Sequence, residues 1–302
     1  MTPEFRVVLQ TWSTPWGLDA ALLLTMLVYV RGWFRVRAVS ANLIPAWRLG
    51  AFLAGIFSVW LAIGSPLDAF DEFLLTVHMT QHLLLMAIAP LLILLGAPAL
   101  PLLQGIPPSV ARRMVGPLLR SGPVKWLGHF VSNPAIGWSA AISVLIAWHV
   151  PAIFDLALRV NWLHVIEHAT FFATGLLFWW PVVQPWPSSA RWPRWSIPLY
   201  LFCATLPCDV LSGFLTFCDR VVYASYLSAP RVLSMSPLQD QQCAGALMWA
   251  AVTIIFSIPA IIVTVRILSP GKNQLAHHGF SDLEKIVTGP LDISDISKAN
   301  VV

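Results

Sequence analysis

Seven stretches of about 20 residues, nearly free of charge, divide this chain, and each is long enough to cross a bilayer as a helix. In lipid every backbone N–H and C=O needs an internal partner, which leaves helices or closed barrels. Continuous apolar runs predict helices. The spans fall near 17–34, 47–64, 73–95, 134–150, 162–183, 195–217 and 242–268. The predicted fold class is therefore all-α, a polytopic membrane helix bundle. Only 11% of the 302 residues are charged, against roughly 25% in soluble domains, which excludes an ordinary soluble globule. Many of the 15 Trp sit near predicted helix ends, where amphipathic rings favour the membrane interface.

The connections alternate in charge. The first carries Arg31, Arg35, Arg37 and Arg48, the third Arg112, Arg113, Arg120 and Lys125, the fifth Arg191 and Arg194. The second carries Asp68, Asp71 and Glu72 with no base. Lys and Arg stay on the cytoplasmic side, so the N-terminus is expected outside and the C-terminus inside. The expected organisation is an outer segment 1–16, a transmembrane domain 17–268, and a cytoplasmic tail 269–302 whose polar composition predicts disorder. His277 and His278 in that tail read as solvated. Within the domain, 97–133 forms a cytoplasmic connection, and its alternating apolar and basic residues predict an interfacial helix. The excess of bases is explained by orientation, and no nucleic-acid motif is present. The first apolar run lacks a cleavage site and reads as a retained helix.

Two pairs of histidines lie inside the apolar segments: His78 and His82 in HMTQH, His164 and His168 in HVIEH. Four residues return a helix to nearly the same face, so each pair occupies one face, one turn apart. With the predicted orientation, both pairs fall in the outer halves of their spans, and His149 ends the fourth span at the same depth. Ionisable groups in a membrane are costly and mark function. Neutral imidazole is a ligand for copper, zinc, iron and nickel. The candidate metal ligands are thus His78, His82, His149, His164 and His168. A ligating His donates its second N–H to a carboxylate or carbonyl, and Asp209 and Asp240 are candidates for that supporting role. Met79, Met86 and Met235 are possible thioether donors favouring cuprous copper, although Met79 is about 100° around the helix from His78. Glu167, one residue from His168, is expected on another part of its helix. His129 reads as structural. Cys203, Cys208, Cys218 and Cys243 contain no CxxC and read as small apolar residues, with a Cys218–Cys243 disulfide as an open alternative.

The motifs GSPLDAF, HMTQHLLLMAIAPLLILLGAP, AWHVPAIFD, LHVIEHATFFATGLLFWWPVV and SPLQDQQCAGALMW follow one another in this order. From about residue 50 to 268 the chain resembles the Bacillus-type cytochrome c oxidase assembly factor family, CtaG. The resemblance implies a multi-pass protein of the bacterial cytoplasmic (inner) membrane needed to make a haem–copper oxidase. Its implied partners are the oxidase large subunit, a periplasmic copper chaperone and the lipid bilayer. Its implied cargo is copper, ahead of zinc or haem. The positions that match family motifs are His78, Met79, His82, His149, His164, His168, Asp209, Gly213, Asp240, Gln241, Gly245 and Trp249. The role implied is non-enzymatic, and the chain contains no P-loop, no GxGxxG and no HExxH. Two alternatives stay open: a haem protein with paired axial histidines, and a metal or proton transporter.

Overall fold

The computed structural model describes residues 12, 14–39, 44–110, 113, 117, 121–184 and 192–269. The predicted outer segment up to residue 11, most of 111–120, and the tail beyond Ser269 with His277 and His278 lie outside the described residues, as does the side chain of His129. Among the described residues every regular element is helical. In chain order the helices are α1 (Trp16–Val39), α2 (Ala46–Ile63), α3 (Leu75–Leu95), α4 (Ala99–Gly105), α5 (Gly122–Val131), α6 (Pro134–Trp148), α7 (Pro151–Arg159), α8 (Asn161–Val183), α9 (Ser196–Phe217) and α10 (Pro237–Leu268), with single turns between some of them.

Five helices, α1, α2, α3, α9 and α10, are long and apolar enough to cross a membrane. The pair α6 and α7 qualifies as a sixth span, bent by 77°. The sequence predicts one helix over 134–150. Pro151 makes the difference, because it disfavours helical backbone in the residue before it, and Val150 is extended at φ −66° and ψ 122°. Helix α8 spans 23 residues but falls short in hydropathy, since His164, Glu167 and His168 lie in it. Those polar residues occupy the same stripe as buried Phe171, turned away from lipid.

Helix α3 is the most buried of the five spans and stands at the centre of the bundle. Its first half packs on α10, and its second half on α2 and α8. Helices α9 and α10 pair along their length, as do α6 and α8. The third connection departs in part from the predicted surface element. Its first helix, α4, buries Pro101 and Gly105 against Val28 and Gly32 of α1. Helix α5 does present exposed Trp126, Leu127 and Phe130, as an interfacial helix requires. The four cysteines, Cys218 and Cys243 included, are free.

Helix contacts in lipid rely on close approach of small residues, because no hydrophobic drive separates protein from solvent there. Two glycines in this bundle meet carbonyls that lie four residues before a proline. Pro90 supplies no N–H to the Met86 carbonyl four residues earlier, and a Cβ on Gly175 would lie 2.5 Å from that oxygen. Pro181 leaves the Leu177 carbonyl in the same state, and a Cβ on Gly137 would lie 2.6 Å from it. Each glycine lets a neighbouring helix cover a polar group that lipid cannot satisfy. A π-turn at Leu84–Ile88 precedes Pro90, so α3 is locally unwound directly after His82.

This packing predicts opposite signs for one substitution at two sites. Gly175→Ala drives a methyl group into Met86 and costs about 1–3 kcal/mol. Gly213→Ala meets only a Trp249 ring carbon at 3.9 Å and gains helix propensity, up to about 1 kcal/mol. Thermal unfolding in detergent, followed by circular dichroism, checks both. A Gly175→Ala midpoint at or above that of the parent contradicts the close-approach account.

Candidate metal centre

Five helix ends meet at one end of the bundle: the starts of α3, α8 and α10 and the ends of α6 and α9. The histidines gather there. On α3 the residues Leu75, His78, Met79 and His82 form the buried face, and on α8 the face is His164, Glu167, His168 and Phe171, at spacings of three and four. Ring centroids of His78 and His82 are 4.3 Å apart, and those of His164 and His168 are 4.2 Å apart. Across the two helices, His78 lies 5.4 Å from His164 and His82 lies 5.7 Å from His168. Phe154 of α7 and Phe171 close the sides, at 4.9 Å from His78 and 4.2 Å from His82.

Two carboxylates complete the cluster. One Glu167 oxygen, Oε1, stands 3.7 Å from His78 Nε2 and 3.4 Å from His82 Nε2. Asp71 Oδ2 stands 3.4 Å from His164 Nε2. The donors form two sets, His78 with His82 and Glu167, and His78 with Asp71 and His164, each with its ligand atoms within 4.8 Å of one another. Asp71 lies in the connection before α3, where burial, followed by the like charges of Asp68 and Glu72, pushes its carboxyl well above the usual carboxylate range. A cation beside it would act in the opposite direction.

The polar atoms here lack hydrogen-bond partners. Buried and unpaired are Asp71 Oδ2, both ring nitrogens of His78 and of His82, His164 Nε2, both Glu167 carboxylate oxygens and His168 Nε2. Each such group costs about 1–3 kcal/mol, and together they would rival the roughly 5–15 kcal/mol net stability of a folded domain. The spacing bears on what such a set of groups could hold. A good N–H···O bond is about 2.7–3.2 Å long, shorter than these nitrogen–oxygen separations. Two ligands about 2.1 Å from one tetrahedral ion sit about 3.4 Å apart, which matches Glu167 to His82 and Asp71 to His164 and is shorter than the 3.7 Å from Glu167 to His78.

The sequence and the structure assign the carboxylates differently. Glu167 is not on another part of α8: it lies three residues after His164, on the same stripe, and contacts the α3 pair. Asp71, read from the sequence only as a loop charge, is the second. Asp209 makes no hydrogen bond or ion pair to the histidines among the described residues, and its Oδ1 is unpaired. Asp240 serves the backbone instead. It accepts from Leu75 N at 2.6 Å, Thr76 N at 3.2 Å and Thr76 Oγ1 at 2.6 Å, and so caps α3 just before His78. Gln241 accepts from Val222 N at 2.7 Å and donates to the Arg220 carbonyl at 3.0 Å, tying down the 218–236 connection. That connection covers the cluster: Tyr226 donates to the Asp71 carbonyl at 2.7 Å, and Tyr223 packs on Phe154 at 4.0 Å. Met86 and Met235 have no described contact with the cluster. His149, at the α6–α7 break, stands apart, 6.1 Å from His82, with Met79 Sδ 3.4 Å from its Nε2.

An all-helical bundle with several membrane-length helices and a buried histidine–carboxylate cluster at one end defines a polytopic membrane protein with a metal-type donor set. The chain belongs to the cytochrome c oxidase caa3 assembly factor family, Caa3_CtaG, whose model matches residues 27–269. It is 27% identical to an uncharacterized protein of Mycobacterium leprae over 86% of this chain and 40% of that protein. It is 26% identical to an uncharacterized protein of Mycobacterium bovis over 90% of this chain and 41% of that protein. The chain thus spans about two fifths of the length of these curated relatives. No solved structure matches it.

The cap on α3 yields a prediction. Asp240→Ala strips three charge-assisted hydrogen bonds from Leu75 and Thr76 and lowers stability by about 2–4 kcal/mol, whereas Asp240→Asn keeps one acceptor oxygen and loses about half of that. Denaturant titration in detergent measures both. Equal stability of all three forms would show that the cap is dispensable.

Proposed function

We propose that this chain holds copper at the His78, His82, His164, His168, Asp71 and Glu167 cluster and delivers it to the large subunit of a haem–copper cytochrome c oxidase. The observation that carries the reading is the pair of buried nitrogen and oxygen donor sets that share His78, each with its ligand atoms within 4.8 Å of one another. Family membership supports the oxidase as the assembly served. Membership in an assembly-factor family supports the role of a non-catalytic carrier.

The protein acts in this reading as a seven-span protein of the bacterial inner membrane, with α8 and the bent α6–α7 pair counted as spans. The N-terminus is outside and the C-terminus cytoplasmic. The connections flanking the cluster carry Asp68, Asp71, Glu72 and Asp155 with Arg159, Arg220 and Arg231, while Arg31, Arg35, Arg37, Arg48, Arg112, Arg113, Arg120, Lys125, Arg191 and Arg194 fall in the other connections, and that excess of bases supports an outward-facing site. His164 has the most exposed side chain of the ion-paired groups, 17%, against 2% for Asp71 and 0% for Glu167. Copper from a periplasmic chaperone therefore enters past His164 and settles at His78, which both donor sets share. Haem is less well supported, because Phe154 and Phe171 pack directly against the imidazoles and occupy the space a macrocycle would need.

Two measurements test this reading. The purified wild-type protein is expected to retain copper, and Glu167→Gln and His78→Ala to lose it at least about tenfold, with the copper centre of the oxidase lost in cells carrying either variant. Equal copper in all three forms would sink the proposal. For the orientation, phosphatase fused after residue 230 is expected to be active and phosphatase fused after residue 110 inactive. The reverse pattern would place the cluster on the cytoplasmic side.

A further inference from the structure

Met79 and His149 meet in a way that hydrogen bonding does not explain. His149 follows the last residue of α6, and its Nδ1 lies 2.7 Å from the Leu145 carbonyl oxygen. A carbonyl only accepts, so Nδ1 carries the proton. In the neutral ring, Nε2 is then a bare lone pair. That lone pair faces the thioether sulfur of Met79 at 3.4 Å. Sulfur in a thioether has no proton to give. Two acceptors therefore face each other inside the protein, Met79 with no exposed surface and His149 7% exposed. Neither is engaged by the carboxylates that serve the other imidazoles, Asp71 and Glu167.

We propose that Met79 and His149 form a second, softer cation position beside the histidine–carboxylate cluster, selective for a monovalent soft ion such as cuprous copper or silver. Thioether sulfur with imidazole nitrogen selects cuprous copper over hard divalent ions, while an imidazole–carboxylate set lacks that preference. The separation fits: nitrogen and sulfur about 2.0 and 2.3 Å from a shared ion would be about 3.4–3.5 Å apart at a near-tetrahedral angle. His82 is the adjoining group, 6.1 Å from His149 between ring centroids, with both nitrogens unpaired. It offers a third donor and a link to the Glu167 side. The local fold holds the pair in place. Pro151 breaks the helix so that His149 turns inward at the α6–α7 bend. Tyr223, 3.4 Å from the His149 carbonyl, covers it. The position goes beyond the cluster and does not depend on it: a chain carrying zinc at Glu167 would still present this sulfur–nitrogen pair.

Silver is the probe, because it is monovalent, soft and redox-inert. Full-length protein is grown with selenium replacing methionine sulfur, its accessible thiols are alkylated, and silver is titrated to a small excess in detergent. X-ray absorption at the selenium edge is expected to show a silver neighbour. Met79→Leu, which conserves volume, is expected to lose that neighbour and to weaken silver binding at least about tenfold, with copper(II) or zinc binding unchanged. If Met79→Leu loses its helical circular dichroism, His149→Gln makes the same comparison. No silver at selenium in the parent protein overturns the proposal, as does a neighbour that persists in the folded variant. Loss of cluster binding in Glu167→Gln with the selenium–silver contact retained would confirm that the two positions are separate.

Discussion

Unpaired polar atoms at the heart of an apolar bundle are the constraint on which this structure turns. Five histidines and two carboxylates are gathered where neither water nor lipid reaches most of them. A cluster of that kind is costly, and it persists only where the surrounding backbone is held so firmly that the donors cannot drift apart. Much of the nearby architecture follows. Asp240 caps the helix that carries His78 and His82, a capping box at Ser236 and Gln239 starts the helix that carries Asp240, and Gln241 anchors the covering connection. The motif SPLQDQ thus supports the donors from behind without touching an imidazole.

The membrane setting imposes a second demand, that every interrupted backbone bond be covered by protein. Prolines in α3 and α8 withhold the i+4 donor from the carbonyls of Met86 and Leu177, and Gly175 and Gly137 bring neighbouring helices onto them. The interruption in α3 follows its histidine pair by a few residues. The π-turn there resets the helical face, so the residues ahead of it point to the cluster while those beyond pack on α2 and α8. The site and the irregularity belong to one design: a helix that serves two partners on different faces needs a local change of phase.

Much of the donor set was legible because helices impose a simple rule. Residues four apart share a face, so His78 with His82, and His164 with His168, announced themselves. Glu167 is less legible, because the i, i+4 histidine pairs mask its i, i+3 place on the same stripe. Asp71 is hidden for a different reason. It belongs to a connection with no periodicity, and only the folding of that loop over α8 brings its carboxylate to His164. Asp209 and Asp240 were at the right depth, yet depth does not specify direction: Asp240 points to backbone N–H groups, and Asp209 reaches none of the imidazoles among the described residues.

By itself, then, the sequence determined the helical class, five of the membrane-length segments and the paired imidazoles, because these rest on local composition and on the 3.6-residue period, which need no partner. Tertiary structure alone decided which carboxylates meet which histidines and that Met79 faces His149. Those contacts join helices far apart in the chain, and their geometry depends on crossing points set by glycines, prolines and caps, none of which a single segment can reveal.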